Sequence, residues 1–221
     1  MAELKSTSLY SDANLKAYWQ MEGNSNTTVG SFNGTDSNMS YGTGKYGQGA
    51  IFNGTSSKIT LSSVTFTSAG SVCFWMQTNF NNTSDGSQRV MIDTTTPRQF
   101  LFFYEPAYSP KQFGWDSGGA NVIDPFTYSF GNISGQWHHW AFVWTTTTSW
   151  NVYYDGVVIQ SGTSTITTGT PTTMTFGVRF SGASSFFPGT LDDIAYFDRA
   201  LTANEVNLLS GNPSNMLMMF R

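Results

Sequence analysis

The chain has 221 residues, of which 16% are aromatic and 11% charged, with a formal net charge of −4. That ring-rich, charge-poor composition is the reverse of a disordered or coiled-coil chain. Without clustered Lys and Arg it also excludes nucleic acid as a partner. The length supports a core without disulfides or metals, and all-β sandwiches reach it as one unit. One domain over residues 1–221 is therefore expected, with its core at about 12–211 and an apolar tail at 212–221.

The opening M-A-E-L-K-S-T-S-L-Y-S-D has no apolar run of the secretion-signal kind. Display at an extracellular surface or on a virion is then expected by another route, or after removal of a leader. No run approaches the roughly 20 apolar residues of a membrane helix, so no membrane partner is expected. Residues 15–21 (L-K-A-Y-W-Q-M) read as a first strand, and a Gly/Ser/Asn/Thr loop follows to about residue 44. Short strands are expected at 50–53 and 58–61. Residues 71–78 (S-V-C-F-W-M-Q-T) are apolar on both faces and read as a central strand, in which Cys73, alone in the chain, is a buried small hydrophobe. Residues 88–93 and 99–104 form the next pair, with Pro97 as the breaker.

Residues 105–135 carry several Pro and Gly and read as a long irregular insertion, the usual place for function on a β scaffold. Glycan recognition needs flat rings beside hydroxyl-bonding polar groups. Tyr108, Trp115 and Tyr128, with Asp116 and Asn121, are the candidate ligand-binding residues here. Phe186 and Phe187 form a second candidate platform. Most of these rings also suit a core, since a sandwich of this size buries many.

Residues 136–156 (Q-W-H-H-W-A-F-V-W-T-T-T-T-S-W-N-V-Y-Y-D-G) organise the rest. Two runs of aromatic and β-branched residues suit a pleated surface, and Asp155-Gly156 signals a tight hairpin. His138, Trp140, Phe142 and Trp144 fall on one face, and Trp137, His139, Ala141 and Val143 on the other. This strand is thus covered on both sides. Residues 174–180 and 190–197 complete the strands. Thr202-Ala-Asn-Glu205 is a capping box opening one short helix, which Gly211 and Pro213 stop. The Met-rich tail either packs back as an edge strand or docks on another subunit. The fold class is all-β, a two-sheet antiparallel sandwich with one short C-terminal helix.

Three stretches together resemble the laminin-G-like, concanavalin-A-like jelly roll. They are L-K-A-Y-W-Q-M-E-G with G-K-Y-G-Q-G-A-I-F-N-G-T; W-H-H-W-A-F-V-W with W-N-V-Y-Y-D-G; and G-T-L-D-D-I-A-Y-F-D-R-A-L-T-A-N-E-V. The resemblance spans about residues 15–209 and implies the fold more strongly than an activity. It implies a structural calcium at Glu22, Asn53, Gly54 and Asp192, with Asn53 in place of the more usual Asp. The alternative is that Asp192 or Asp193 pairs with Arg199 or a lysine and that Glu22 is simply exposed.

No catalysis is expected. A retaining glycosidase needs two carboxylates about 5 Å apart, and the only adjacent acids, Asp192-Asp193, point to opposite faces of a regular strand. His138-His139 could supply a base but has no nucleophile assigned beside it. Two functions follow: a glycan-binding adhesion module, or a virion component whose partner is another assembly subunit, with a homo-oligomer as one form.

Overall fold

The computed structural model describes residues 3–62, 64–95, 98–118, 120–123 and 126–211. Two 3₁₀ turns, Leu4–Ser6 and Ser8–Ser11, precede the strands. In chain order these are β1 Leu15–Trp19, β2 Thr27–Val29, β3 Gly34–Ser37, β4 Ser40–Thr43, β5 Gln48–Asn53, β6 Lys58–Ser62, β7 Gly70–Thr78 and β8 Arg89–Thr94. There follow β9 Leu101–Glu105, β10 Gln112–Ser117, β11 Ala120–Ile123, β12 Trp137–Thr146, β13 Ser149–Tyr154, β14 Val157–Gly162, β15 Thr173–Phe176 and β16 Pro188–Phe197. Helix α1, Ala203–Ser210, comes last.

The strands form two antiparallel sheets. One runs β14-β13-β12-β7-β16-β1-β2, with β5 and β4 continuing from β16; the other runs β11-β10-β9-β8-β15-β6-β3. Strand β12 pairs with β7 over eight residues and with β13 on its other edge. Its alternation builds two layers. Trp140, Phe142 and Trp144 enter the core between the sheets. Ala141 and Val143 face a second apolar layer with Leu4, Leu9, Val206 and Leu209, under the 3₁₀ turns and α1. The β13–β14 hairpin turns at Asp155 and Gly156 with φ of 49° and 81°, the paired positive values of a type I′ turn. The capping box forms between Thr202 and Glu205, and Gly211 closes α1 in the left-handed region.

Several expectations need correction. The loop expected before residue 44 contains three short strands, β2, β3 and β4. Residues 105–135 are not one irregular insertion. Phe113 and Trp115 alternate inward along β10, which pairs with β9 and β11 and extends the second sheet. The strand expected over 174–180 ends at Phe176. There Gly177 takes φ +80°, and a Cβ would lie 2.1 Å from the Phe52 ring. Phe187, read as an exposed platform, is fully buried. The tail at 212–221 lies outside the described residues.

Candidate functional site

A cleft lies where the β2–β3 loop faces the β6–β7 connection, with a volume of about 410 Å³. That is within the range of small-ligand sites, roughly 300–1,000 Å³. Phe32, half-buried, and Val64 supply apolar wall. Ser31, Thr65 and Thr67 supply hydroxyls, and Lys16 pairs with Asp198 at 3.2 Å beside them.

Buried aromatic rings hold these walls by their polar tips. Trp19 Nε1 donates to the Phe32 carbonyl at 2.8 Å. Tyr196 Oη donates to the Thr65 carbonyl at 2.9 Å, and Trp144 Nε1 donates to that of Thr67 at 2.9 Å. Between those two threonines, Phe66 exchanges both backbone hydrogen bonds with Gly169, each 2.8 Å long. Its ring packs against Trp144, Tyr196 and Phe100. The lining is therefore fixed from inside the core. Little in the sequence signals it, because Phe32 sits alone in a Gly/Ser/Asn stretch and Thr65 and Thr67 look like ordinary turn residues.

The residues expected to read a glycan do not come together. Trp115 is wholly inaccessible and packs on Phe100, Phe142 and Trp150, so it is a core ring and not a platform. Asp116 is buried and accepts from Arg98 Nη1 at 2.7 Å, an ion pair that leaves it no surface role. Tyr108 is partly buried against Val90, Leu101 and Phe103 on the outer side of the second sheet. Asn121 pairs with Asp116 in the β10–β11 ladder. Only Tyr128, at 39% exposed, presents a large part of its ring, packed on Phe130 and Tyr154.

The four calcium positions also separate. Glu22 accepts from Gln48 N at 3.2 Å, and Asp192 Oδ2 accepts from Tyr46 N at 3.0 Å, so both carboxylates meet the loop between β4 and β5. Gly47 there has φ +51°, and a Cβ would lie 2.0 Å from Glu22 Oε1. Asn53 and Gly54 lie elsewhere. Asn53 pairs with Pro188, four residues along β16 from Asp192, or roughly 13 Å at strand rise. Its Oδ1 is filled by the amides of Thr55, Ser56 and Ser57. The four do not form one oxygen cage, and among the described residues no three His, Cys, Asp or Glu side chains cluster as metal ligands.

Asp192 and Asp193 diverge through a bulge rather than by simple alternation. The β16–β7 register shifts between Asp192 and Ala195, and Asp193 takes φ 49°. Asp193 accepts from Tyr18 Oη. Neither acid pairs with Arg199, which binds Asp12 and Glu205 instead. Burial pushes the Asp192 carboxyl up to about 8 and that of Asp193 up to about 7. Burial moves His139 the other way, down to about 3, so its imidazole is neutral. His139 Nδ1 and Asp193 Oδ2 lack partners among the described residues, and both side chains line a void of about 10 Å³. His138 Nδ1 lies 2.7 Å from Asp155 Oδ2 and stacks on Tyr154.

With two antiparallel sheets and this closing strand and helix in place, the class of protein is a jelly-roll sandwich. The family model described as the concanavalin A-like lectin/glucanases superfamily, Laminin_G_3, matches residues 52–207, and the chain belongs to that family. No curated protein matches it in sequence. Among solved structures it is similar to domain 4 of AbnA, an extracellular arabinanase from Geobacillus stearothermophilus, in complex with arabinotriose. That match has 21% identity and a TM-score of 0.72, covering 89% of this chain and 98% of the other. It is also similar to the botulinum neurotoxin serotype D ligand-binding domain in complex with N-acetylneuraminic acid, at 14% identity and TM-score 0.67. There it covers 90% of this chain but only 50% of the other. A sialidase of Trypanosoma rangeli matches at 14% identity and TM-score 0.67, covering 93% of this chain and 34% of the other. At these identities the likeness defines the fold.

Proposed function

We propose that the chain is a non-enzymatic carbohydrate-binding module and that the cleft at Phe32 is its site. The carrying observation is the cleft's chemistry: an apolar wall beside three hydroxyls and an ion pair, in a space of about 410 Å³. Sugars present just this combination, a C–H face edged with hydroxyls. The arabinotriose and N-acetylneuraminic acid held by two structural neighbours support a glycan as the ligand. Against catalysis, the cleft carries one carboxylate, Asp198, where glycoside hydrolysis ordinarily uses two. A glycan array followed by calorimetry on the best ligand tests the reading. Phe32→Ala abolishes the signal if the cleft is the site, whereas undiminished binding by that variant removes it.

A role in an assembly is the second reading, favoured by Val157 and Val158. They are 55% and 45% exposed on β14, the strand at the end of its sheet. Light scattering after size exclusion decides it: a discrete oligomer that Val157→Lys dissociates supports assembly, and a monomer at all concentrations counts against it. A structural calcium is supported by Glu22 and Asp192 alone, meeting at one loop without Asn53 and Gly54. Melting with added calcium and then with chelator tests it, with Asp192→Asn expected to remove any calcium-dependent rise.

A further inference from the structure

The two neighbours crystallised with sugars hold ligands of opposite character, a neutral arabinotriose and an acidic N-acetylneuraminic acid. We infer that the cleft of this chain selects neutral saccharides and rejects carboxylate-bearing ones, an inference that rests on the cleft being a glycan site. Among the described residues its only charged lining groups are Lys16 and Asp198, and they neutralise each other at 3.2 Å. Lys16 Nζ also donates to the Ala13 carbonyl at 2.8 Å. An acidic sugar would therefore have to break an existing ion pair to gain a cation, while meeting the Asp198 carboxylate at the same place. Asp198 Oδ1 is buried and accepts no hydrogen bond from any described residue, so Lys16 is the carboxylate's cationic partner on the cleft side.

The guanidinium fork is the group best shaped to hold a carboxylate. None of the described arginines lines the cleft, and each is engaged elsewhere. Arg89 holds Asp85, and Arg98 holds Asp93 and Asp116. Arg179 faces Asp93, and Arg199 holds Asp12 and Glu205. The chain's net charge of −4 adds a weak repulsion of the same sign.

Neutral hydroxyls suit the lining better. Thr67 Oγ1 already donates to the Ala69 carbonyl, and Thr65 Oγ1 shares a hydrogen bond with Thr170. The Thr67 hydroxyl, its proton committed, still offers lone pairs to a sugar O–H, and the Thr65 hydroxyl serves as donor or acceptor according to which way its bond with Thr170 runs. The Phe32 ring and Val64 cover the C–H face.

Calorimetry with arabinotriose, lactose and 3′-sialyllactose, at about 20 and 200 mM NaCl, tests the inference. At least one neutral sugar should bind at least tenfold more tightly than sialyllactose, and its affinity should change less than twofold with salt, since no charge is recruited. Asp198→Asn frees the Lys16 ammonium and should narrow the preference at least fivefold. Tighter binding of sialyllactose by the unaltered chain, falling as salt rises, overturns the inference and leaves the glycan reading standing. Binding of no saccharide, on calorimetry and array alike, removes the glycan reading and the selectivity with it.

Discussion

Two regions of this sandwich use aromatic residues in opposite ways. Around β9, β10 and β12 the rings of Phe102, Phe113, Trp115, Trp140 and Phe142 pack on one another with centroids 4.8–6.4 Å apart. They are wholly buried. At the cleft one half-buried ring, Phe32, lines the space together with the buried Tyr196, beside hydroxyls and an ion pair. The first arrangement spends its rings on holding the sheets together; the second leaves one ring able to meet a ligand. Mutually packed rings therefore mark the core, and the candidate recognition surface lies where an accessible ring is set in a polar lining.

Trp115→Ala should sharpen that contrast most. Removing a fully buried indole costs about 3–5 kcal/mol, read as a large fall in melting temperature. Any surviving folded protein should still bind sugar with unchanged affinity. A loss of binding without a loss of stability would break the comparison and return Trp115 to the surface. Phe32→Ala should do the converse, weakening sugar binding tenfold or more, or at least about 1.4 kcal/mol, with a much smaller change in melting temperature.

A third measurement follows from Asp192 and Asp193, whose folded pKa values lie above those of the unfolded chain, at about 8 and about 7. The native state holds these protons more tightly, so the stabilisation is complete below about pH 3.9 and is lost as pH rises through 7 and 8. His139, displaced downward, acts in the opposite sense only below about pH 6.5. In chelator, melting temperature should therefore fall from pH 6.5 to about 8, and Asp192→Asn should flatten that fall. A curve that rises over this interval would contradict the burial of the pair. Smallest of all, Tyr128→Ala should change stability by no more than about 0.5 kcal/mol, as surface substitutions do, and leave cleft binding unaltered.

Much of the fold was legible because it is written in local pattern. Alternation along residues 137–144 announced a strand covered on both faces, Asp155-Gly156 announced the hairpin, and Thr202 with Glu205 announced the helix start. The cleft was not legible. Its walls come from residues 30–32 and 64–67, two short segments far apart in the sequence, and only the fold brings them face to face. Trp115 and Phe187 suit a platform by sequence because sequence cannot tell which side of a strand or loop will be covered. Proline and glycine around 105–135 likewise signalled a loop, while the alternation of Phe113 and Trp115 within it signalled the strand that formed.

The double hydrogen bond between Phe66 and Gly169 works as a cross-brace, fastening one cleft wall to a crossover that joins β14 to β15. A wall braced in this way has little backbone freedom left to surrender when a ligand arrives, so the entropic toll of association should be small. Bound and free forms should then superpose within about 1 Å in their Cα positions, as pre-organised complexes do. Differences in affinity among related sugars would appear chiefly in how fast each one leaves.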